Sequence, residues 1–516
     1  MEVDRKTLTL IASILGSGVV FLDGSVVNVA LPALREDLHA GLATQQWVVE
    51  AYLLTLSSLL LVGGSLGDLL GRRRIFLTGL AGFAVTSAIC AIAPNSALLI
   101  AGRTLQGVAG ALLVPSSLAI ITACFEGEER GAAVGTWTAW TGIFFVAGPL
   151  LGGVLIDQLS WRWIFAINLP LIAVTMFIAA RAVAESASMK GHEPIDYVGA
   201  GLCVVGLAGP VFALTEQSNR GFGDPVVWVP LVVGLITFAA FIVYERRASH
   251  PMVPIRLFKT RNFAVANSAC LTLYAGLSAL TFFLVLYLQQ VVGYDALQAG
   301  LALSPITVVM FTLSRRFGTL AARLGARAFM GLGPIVAGAG LLLLQRLDQN
   351  VDYVTDLLPV LLVFALGLSM TVAPLTSTVL NSVDERHAGA ASGANNAVSR
   401  VAGLLGIAAV GAVIASQFGS SLDSHLADRG PLTAAVQRAA DDAKTRPLVG
   451  THAEPAYRST LGPAVDSAST TAFHTGMMVA ALLVGFGGVI SLVGIRDPRR
   501  RQEAPVHHQA AARTHA

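Results

Sequence analysis

Asp23 and Arg103 each stand inside a long apolar run, and they are the residues of this chain best placed to do chemistry. A charged side chain within hydrocarbon costs about 3 kcal/mol or more unless it faces a cavity or a partner. At 1.5 Å per residue, Asp23 lies about 22 Å above one face of a membrane and Arg103 about 10 Å below the other, so in a core about 30 Å thick they share a level. They can form an ion pair whose strength depends on protonation of Asp23, which would tie proton binding to movement. The competing reading is a static buried pair, or Asp23 capping a helix break at Gly24. Glu50, near the outer end of the next apolar segment, is a second titratable candidate where protons would enter, although interfacial acids are often merely solvated. Arg400 lies deep in a later segment beside Asn395 and Asn396, where it can meet an anionic group or snorkel to the surface.

Enzymatic chemistry finds no comparable support. The chain contains no Walker phosphate loop, no nucleophile elbow and no paired metal-ligand cluster, which argues against an enzyme, ATP-driven transport, a metal or any cofactor beyond a coupling proton. Nothing suggests a nucleic-acid partner. Cys90, Cys124, Cys203 and Cys270 fall in or at the ends of apolar segments, where a reduced thiol behaves as a small hydrophobe, so no disulfide framework is expected.

The elements that must position these residues follow from composition. Of 516 residues, 54% are hydrophobic and 13% charged, against about a quarter charged in a soluble domain. Windows of about 20 apolar residues, enough to cross hydrocarbon as helix, number fourteen. They run from Leu8 to Ala30, Gln46 to Gly67, Ile75 to Ala93, Ser96 to Ile121, Ala132 to Ile156 and Trp163 to Ala184. The rest are Tyr197 to Thr215, Val226 to Tyr244, Ala264 to Leu288, Gln298 to Ser314, Ala328 to Gln345, Leu357 to Leu380, Gly389 to Ala415 and Thr471 to Ile495. Of the 34 Lys and Arg residues, 23 fall on the side shared by both termini, whereas the opposite short loops hold only Arg35, Arg162, Arg220 and Arg346. The bias predicts a multi-pass protein of the cell membrane with both termini cytoplasmic. The first window is read as retained, because Asp23 and Asn28 interrupt it and no small-residue cleavage site follows.

A constant offset of 254 residues links two parts of the chain: Gly64, Leu66, Gly71 and Arg73 recur as Gly318, Leu320, Gly325 and Arg327, and the stretch from Gly148 to Gly153 meets that from Ala402 to Ile407. A duplicated six-helix unit is the simplest source of such an offset. It divides the chain into a first half at 1–184, a two-helix insertion with linkers at 185–262, a second half at 263–495 with an external loop at 416–470, and a disordered cytoplasmic tail at 496–516. Leu432 to Lys444 is expected to form a short amphipathic helix in that loop, and the basic tail can touch anionic lipid headgroups.

Between the second and third windows, Gly64, Asp68, Gly71, Arg72 and Arg73 combine glycines for close approach with charges that can latch an inner gate together with Arg130. The bland alternative is a basic loop that only sets topology. Gly148, Pro149, Gly152 and Gly153 can bend a helix and admit a close neighbour, as glycine and proline do in many membrane helices. Trp140, Phe144, Phe145, Tyr274 and Phe282 can line a cavity for flat or greasy molecules, or simply pack against lipid.

These motifs together resemble the major facilitator superfamily over nearly the whole length, and specifically its fourteen-helix drug:proton antiporter branch. The match is carried by Leu22 to Pro32, Gly64 to Arg74, Arg103 to Gly107, Ala147 to Gly153 and Trp161 to Pro170. Departures are Glu50, where a small polar residue is expected, and Arg315 and Arg316 ahead of the repeated loop. The resemblance implies an all-helical fold of six, two and six helices around a midplane cavity, and proton-coupled export of small, mostly hydrophobic drugs, antibiotics or secreted metabolites by alternating access. Proton coupling is expected of Asp23, Arg103 and Glu50 from their own depth and charge, and the resemblance implies an antiporter role for Gly148, Pro149, Gly152 and Gly153. The substrate cavity is expected around Asn28, Gln106, Trp140, Phe144, Tyr274, Phe282, Asn396 and Arg400, in a protein that works as a monomer. The alternatives are proton-symport uptake of a nutrient, or a receptor or scaffold that no longer transports.

Overall fold

A segment buried in hydrocarbon must satisfy its own backbone, and the described residues of this chain do so with helices. The computed structural model describes residues 5–185, 196–249, 251, 255–383, 388–427, 432–451 and 455–497, among which there is no strand. The first long helices are α1 (Arg5–Leu38), α2 (Leu42–Leu70), α3 (Arg72–Ala91), α4 (Ser96–Cys124), α5 (Gly127–Gln158) and α6 (Trp163–Ala182). Next come α7 (Tyr197–Arg220) and α8 (Pro225–Arg247). The last are α9 (Arg261–Val292), α10 (Ala296–Leu324), α11 (Ala326–Arg346), α12 (Tyr353–Asn381), α13 (Ala388–Ala427) and α14 (Pro463–Gly494). Thirteen helices among the described residues are long and apolar enough to cross a membrane. The other, α2, is 29 residues long and carries Gln45, Gln46 and Glu50 near its start, so the crossings number thirteen or fourteen.

Local chemistry sets several of the helix ends. Side chains of Asn95, Asp196 and Asp224 accept backbone N–H groups at the starts of α4, α7 and α8, satisfying donors that a helix cannot satisfy itself. Between α2 and α3, and again between α10 and α11, the chain turns on a glycine with positive φ, 105° at Gly71 and 104° at Gly325. Glycine alone adopts this backbone without strain. The two turns share further detail. Arg73 N donates to Glu185 Oε1 at 3.1 Å and its guanidinium to Ala180 O, while Arg327 N donates to Asp497 Oδ1 at 3.1 Å and its guanidinium to Leu492 O. The 254-residue offset is thus a repeated geometry. The end of the molecule carrying these two turns is the inner end, and the opposite end the outer.

Helices α1–α6 pack among themselves, as do α9–α14, and α7 and α8 pair with each other while α7 lies on α2 and α13. The two groups meet where α5 touches α10 and α2 touches α13. One contiguous hydrophobic cluster, including Val29, Leu31, Leu34, Leu286, Phe418 and Val449, joins both groups at the outer end. Each group also has a cluster of its own, one around Phe76, Phe83 and Ile120 and another around Phe263, Leu375 and Ile495, while a small cluster of Leu54, Leu207, Val211 and Leu404 joins α2 to α13 through α7.

Three expected boundaries change. Helix α1 continues through Gly24 to Leu38, so Asp23 caps no helix break. Helix α13 extends to Ala427 because Phe418, Leu422 and Leu426, spaced four residues apart, keep one face buried, a periodicity that the intervening serines and aspartate hide from averaged hydropathy. Helix α14 begins at Pro463, so the segment between the last two helices is shorter than 416–470. Within it, Thr433 caps a helix at Ala434–Lys444, matching the amphipathic stretch. The tail beyond 497 and most of the first linker lie outside the described residues.

Candidate functional site

Close helix crossings bring the buried polar residues together. A Cβ at Gly107 would strike Thr55 and the Tyr52 carbonyl, so its absence lets α4 press against α2. On α5, Gly148 lies against Ser25 and Leu22 O, and Gly152 against Val26 and Val29, which draws α5 onto the segment of α1 that carries Asp23. Gly153 faces the other way, against the Leu297 backbone of α10, and Pro149 O lies beside Gly300. The glycine motif therefore serves two seams: one inside the first helix group, and one between the groups.

Asp23 and Arg103 are fully buried and form a direct ion pair through Arg103 Nη1 and Asp23 Oδ2. The second carboxylate oxygen, Oδ1, accepts from Gln106 Nε2 at 3.0 Å and Asn168 Nδ2 at 2.9 Å. Both amides also reach Ser87 Oγ, at 2.9 and 3.2 Å. Arg103 further donates to Gln106 Oε1 at 2.8 Å and, through Nε, to Val48 O at 3.0 Å. Its guanidinium stacks over the Tyr52 ring, 4.2 Å from the centroid, and the Tyr52 hydroxyl donates to Val20 O. Five helices, α1, α2, α3, α4 and α6, thus converge on one carboxylate and one guanidinium. With charge neutralised and both oxygens bonded, the arrangement can hold a carboxylate in apolar surroundings, and a proton arriving on Asp23 would weaken its hold on Arg103.

Other expected residues fall elsewhere. Gln106 belongs to this network rather than to a cavity wall, because it is fully buried against Asp23. Glu50 is not interfacial: it is fully buried, with Oε2 accepting from Thr215 Oγ1 at 2.8 Å, so it sits at the seam between α2 and α7. Phe282 is fully buried edge-on against Phe283 in the core, which takes it off the cavity wall. Tyr274 is partly buried, and the Phe144 ring lies against Gly18 on α1. Trp140 is half exposed and Asn396 exposed. Arg400 reaches from α13 toward α1, 5.9 Å from the Phe21 ring centroid. Asn28 Oδ1 is buried without a hydrogen-bond partner among the described residues.

At the inner end, Gly64 lies beside Pro115 and Arg72 Nη1 donates to Ala119 O at 3.1 Å, while Arg130 Nε donates to Phe125 O at 2.9 Å next to its own helix. The Asp68 side chain lies outside the described residues. Ser87 and Thr215 carry no recognisable signal in the sequence, since a lone hydroxyl in an apolar helix usually bonds its own backbone. Asn168 does carry one, an amide among Phe, Ile and Leu in the stretch from Trp161 to Pro170.

Comparison with known proteins gives a consistent picture. A family model described as the Major Facilitator Superfamily matches residues 13–407. The chain is 34% identical over 425 residues to a multidrug resistance protein, Stp, of Mycobacterium tuberculosis, covering 82% of this chain and 78% of that one. It is 30% identical over 526 residues to the tetracenomycin C resistance and export protein of Streptomyces glaucescens, covering 99% and 96%. A puromycin resistance protein of Streptomyces alboniger is 34% identical over 440 residues, covering 84% and 86%. Among solved structures, a bacterial homologue of the human lysosomal transporter Spinster superposes with a TM-score of 0.69 at 15% identity, covering 96% and 98%, a likeness of fold.

Proposed function

Because the chain belongs to the major facilitator superfamily, we propose that this multi-pass membrane transporter exports small, mostly hydrophobic drugs, antibiotics or metabolites in exchange for protons. It is not an enzyme. Relatives named for multidrug resistance, tetracenomycin C export and puromycin resistance support export of such compounds. The observation that carries proton coupling is the buried Asp23 with Arg103, Gln106 and Asn168 as its ligands. A proton on Asp23 removes the charge that Arg103 compensates, so the two protonation states favour different packings of α1 against α4. Glu50, buried beside Thr215, is the second candidate for proton binding.

Alternating access would rock α1–α6 against α9–α14, with α7 and α8 inserted between the halves, and with both termini cytoplasmic so that the inner end faces the cytoplasm. The large apolar cluster that both halves share at the outer end fits an outward-closed state. Arg400, Asn28, Phe144, Tyr274, Trp140 and Asn396 are the proposed cavity residues, and the protein is proposed to act as a monomer. Expression in a host lacking its own exporters tests the reading. Resistance to puromycin or tetracenomycin C that collapses when the proton gradient is dissipated is expected. Accumulation of those compounds, driven inward by the same gradient, would mean uptake instead.

A further inference from the structure

Between α13 and α14, residues 432–451 fold back over the outer end. The helix at Ala434–Lys444 presents Val436, Ala439, Ala440 and Ala443 to the apolar cluster that also holds Leu31, Leu34 and Leu42 of the first half. Leu448 and Val449 follow, both fully buried, with Leu448 held at φ 65°, a backbone that L side chains rarely adopt. The polar anchors lie on the second half. Asp466 of α14 accepts from Thr451 N at 2.6 Å and Thr451 Oγ1 at 2.7 Å, and Ser469 donates to Val449 O at 2.8 Å. Gly450 N donates to Gln290 O at 3.2 Å, and Lys444 pairs with Asp423 of α13 at 2.6 Å.

Contact with the first half is of a different kind. Gly41, in the turn between α1 and α2, has its Cα face against Thr445 O, and a Cβ there would lie 2.8 Å from that oxygen. Apolar packing and a backbone contact can part and re-form without stranding a buried charge, whereas the carboxylate clamp at Asp466 cannot. We propose that residues 432–451 are an exit lid, carried on the second half and seated on the α1–α2 turn, that must lift off Gly41 before cargo leaves. The lid rests on the export reading above.

A Gly41→Cys/Thr445→Cys pair tests it in everted vesicles, with puromycin uptake as the readout. Oxidation should crosslink the pair and lower uptake at least tenfold, with recovery on reduction. Each single-cysteine variant should show the same uptake whether oxidised or reduced, and puromycin binding by the crosslinked protein should be retained. Failure of the pair to crosslink, or a crosslinked protein that transports within twofold of the reduced one, overturns the lid. A second measurement, made on intact cells, avoids Gly41: Leu448→Cys should react with an impermeant maleimide at least fivefold faster during turnover than at rest, and equal rates overturn the proposal. Absence of uptake by wild-type vesicles would instead defeat the export reading.

Discussion

Asp23 is held by one guanidinium and two amides, and variants of that set distinguish a coupling site from a structural one. Removing one member of a buried ion pair typically costs about 3–5 kcal/mol, because the other charge is stranded, while removing both costs much less. Arg103→Leu should therefore lower the melting temperature in detergent more than Asp23→Asn/Arg103→Leu does, by several degrees. The double variant should nevertheless export nothing. Recovery of stability together with transport would make the pair purely structural. The pairing itself was legible in the sequence, because a fixed rise per residue puts Asp23 and Arg103 at one level. Their amide ligands were less so. Gln106 shares a helix face with Arg103 at a spacing of three residues and could have been read that way, whereas Ser87 depends on how α3 is rotated, and Glu50 could not be matched to Thr215 without knowing where α7 lies.

At the scale of elements, the glycines from Gly148 to Gly153 make the sharpest forecast, since their neighbours differ. Gly153→Val places methyl groups against the Leu297 backbone at the seam between the halves, so it should lower export at least tenfold while membrane insertion persists. Gly135→Val and Gly142→Val on the same helix meet nothing within 4 Å and should stay within twofold of wild type. Cytosolic dye retention in cells matched for membrane expression would measure all three, and equal loss in all three would mean that α5 is merely intolerant of β-branching. Most helices were readable as apolar windows, but their ends were not. Averaged hydropathy stops α13 near Ala415, while burial of every fourth residue carries it a further three turns to Ala427.

For the whole molecule, the Gly71 and Gly325 turns, each tied to a carboxylate of a later segment, mark one end, and the lid marks the other. The Lys and Arg bias predicts that the first end is cytoplasmic. A tag inserted between α13 and α14 should accordingly be reached by antibody on intact cells, and one after Arg496 only after permeabilisation, whereas the opposite pattern would invert the transporter and turn proposed export into uptake. Proton exchange is the central claim, and it has a direct measurement. Everted proteoliposomes are loaded with an acid interior, puromycin is added outside, and the fluorescence of an internal pH dye is followed. Wild-type protein should release protons on addition of puromycin, and Asp23→Asn protein, which keeps similar size but cannot titrate, should release at most a tenth as many. Proton release by Asp23→Asn at the wild-type rate would contradict the account.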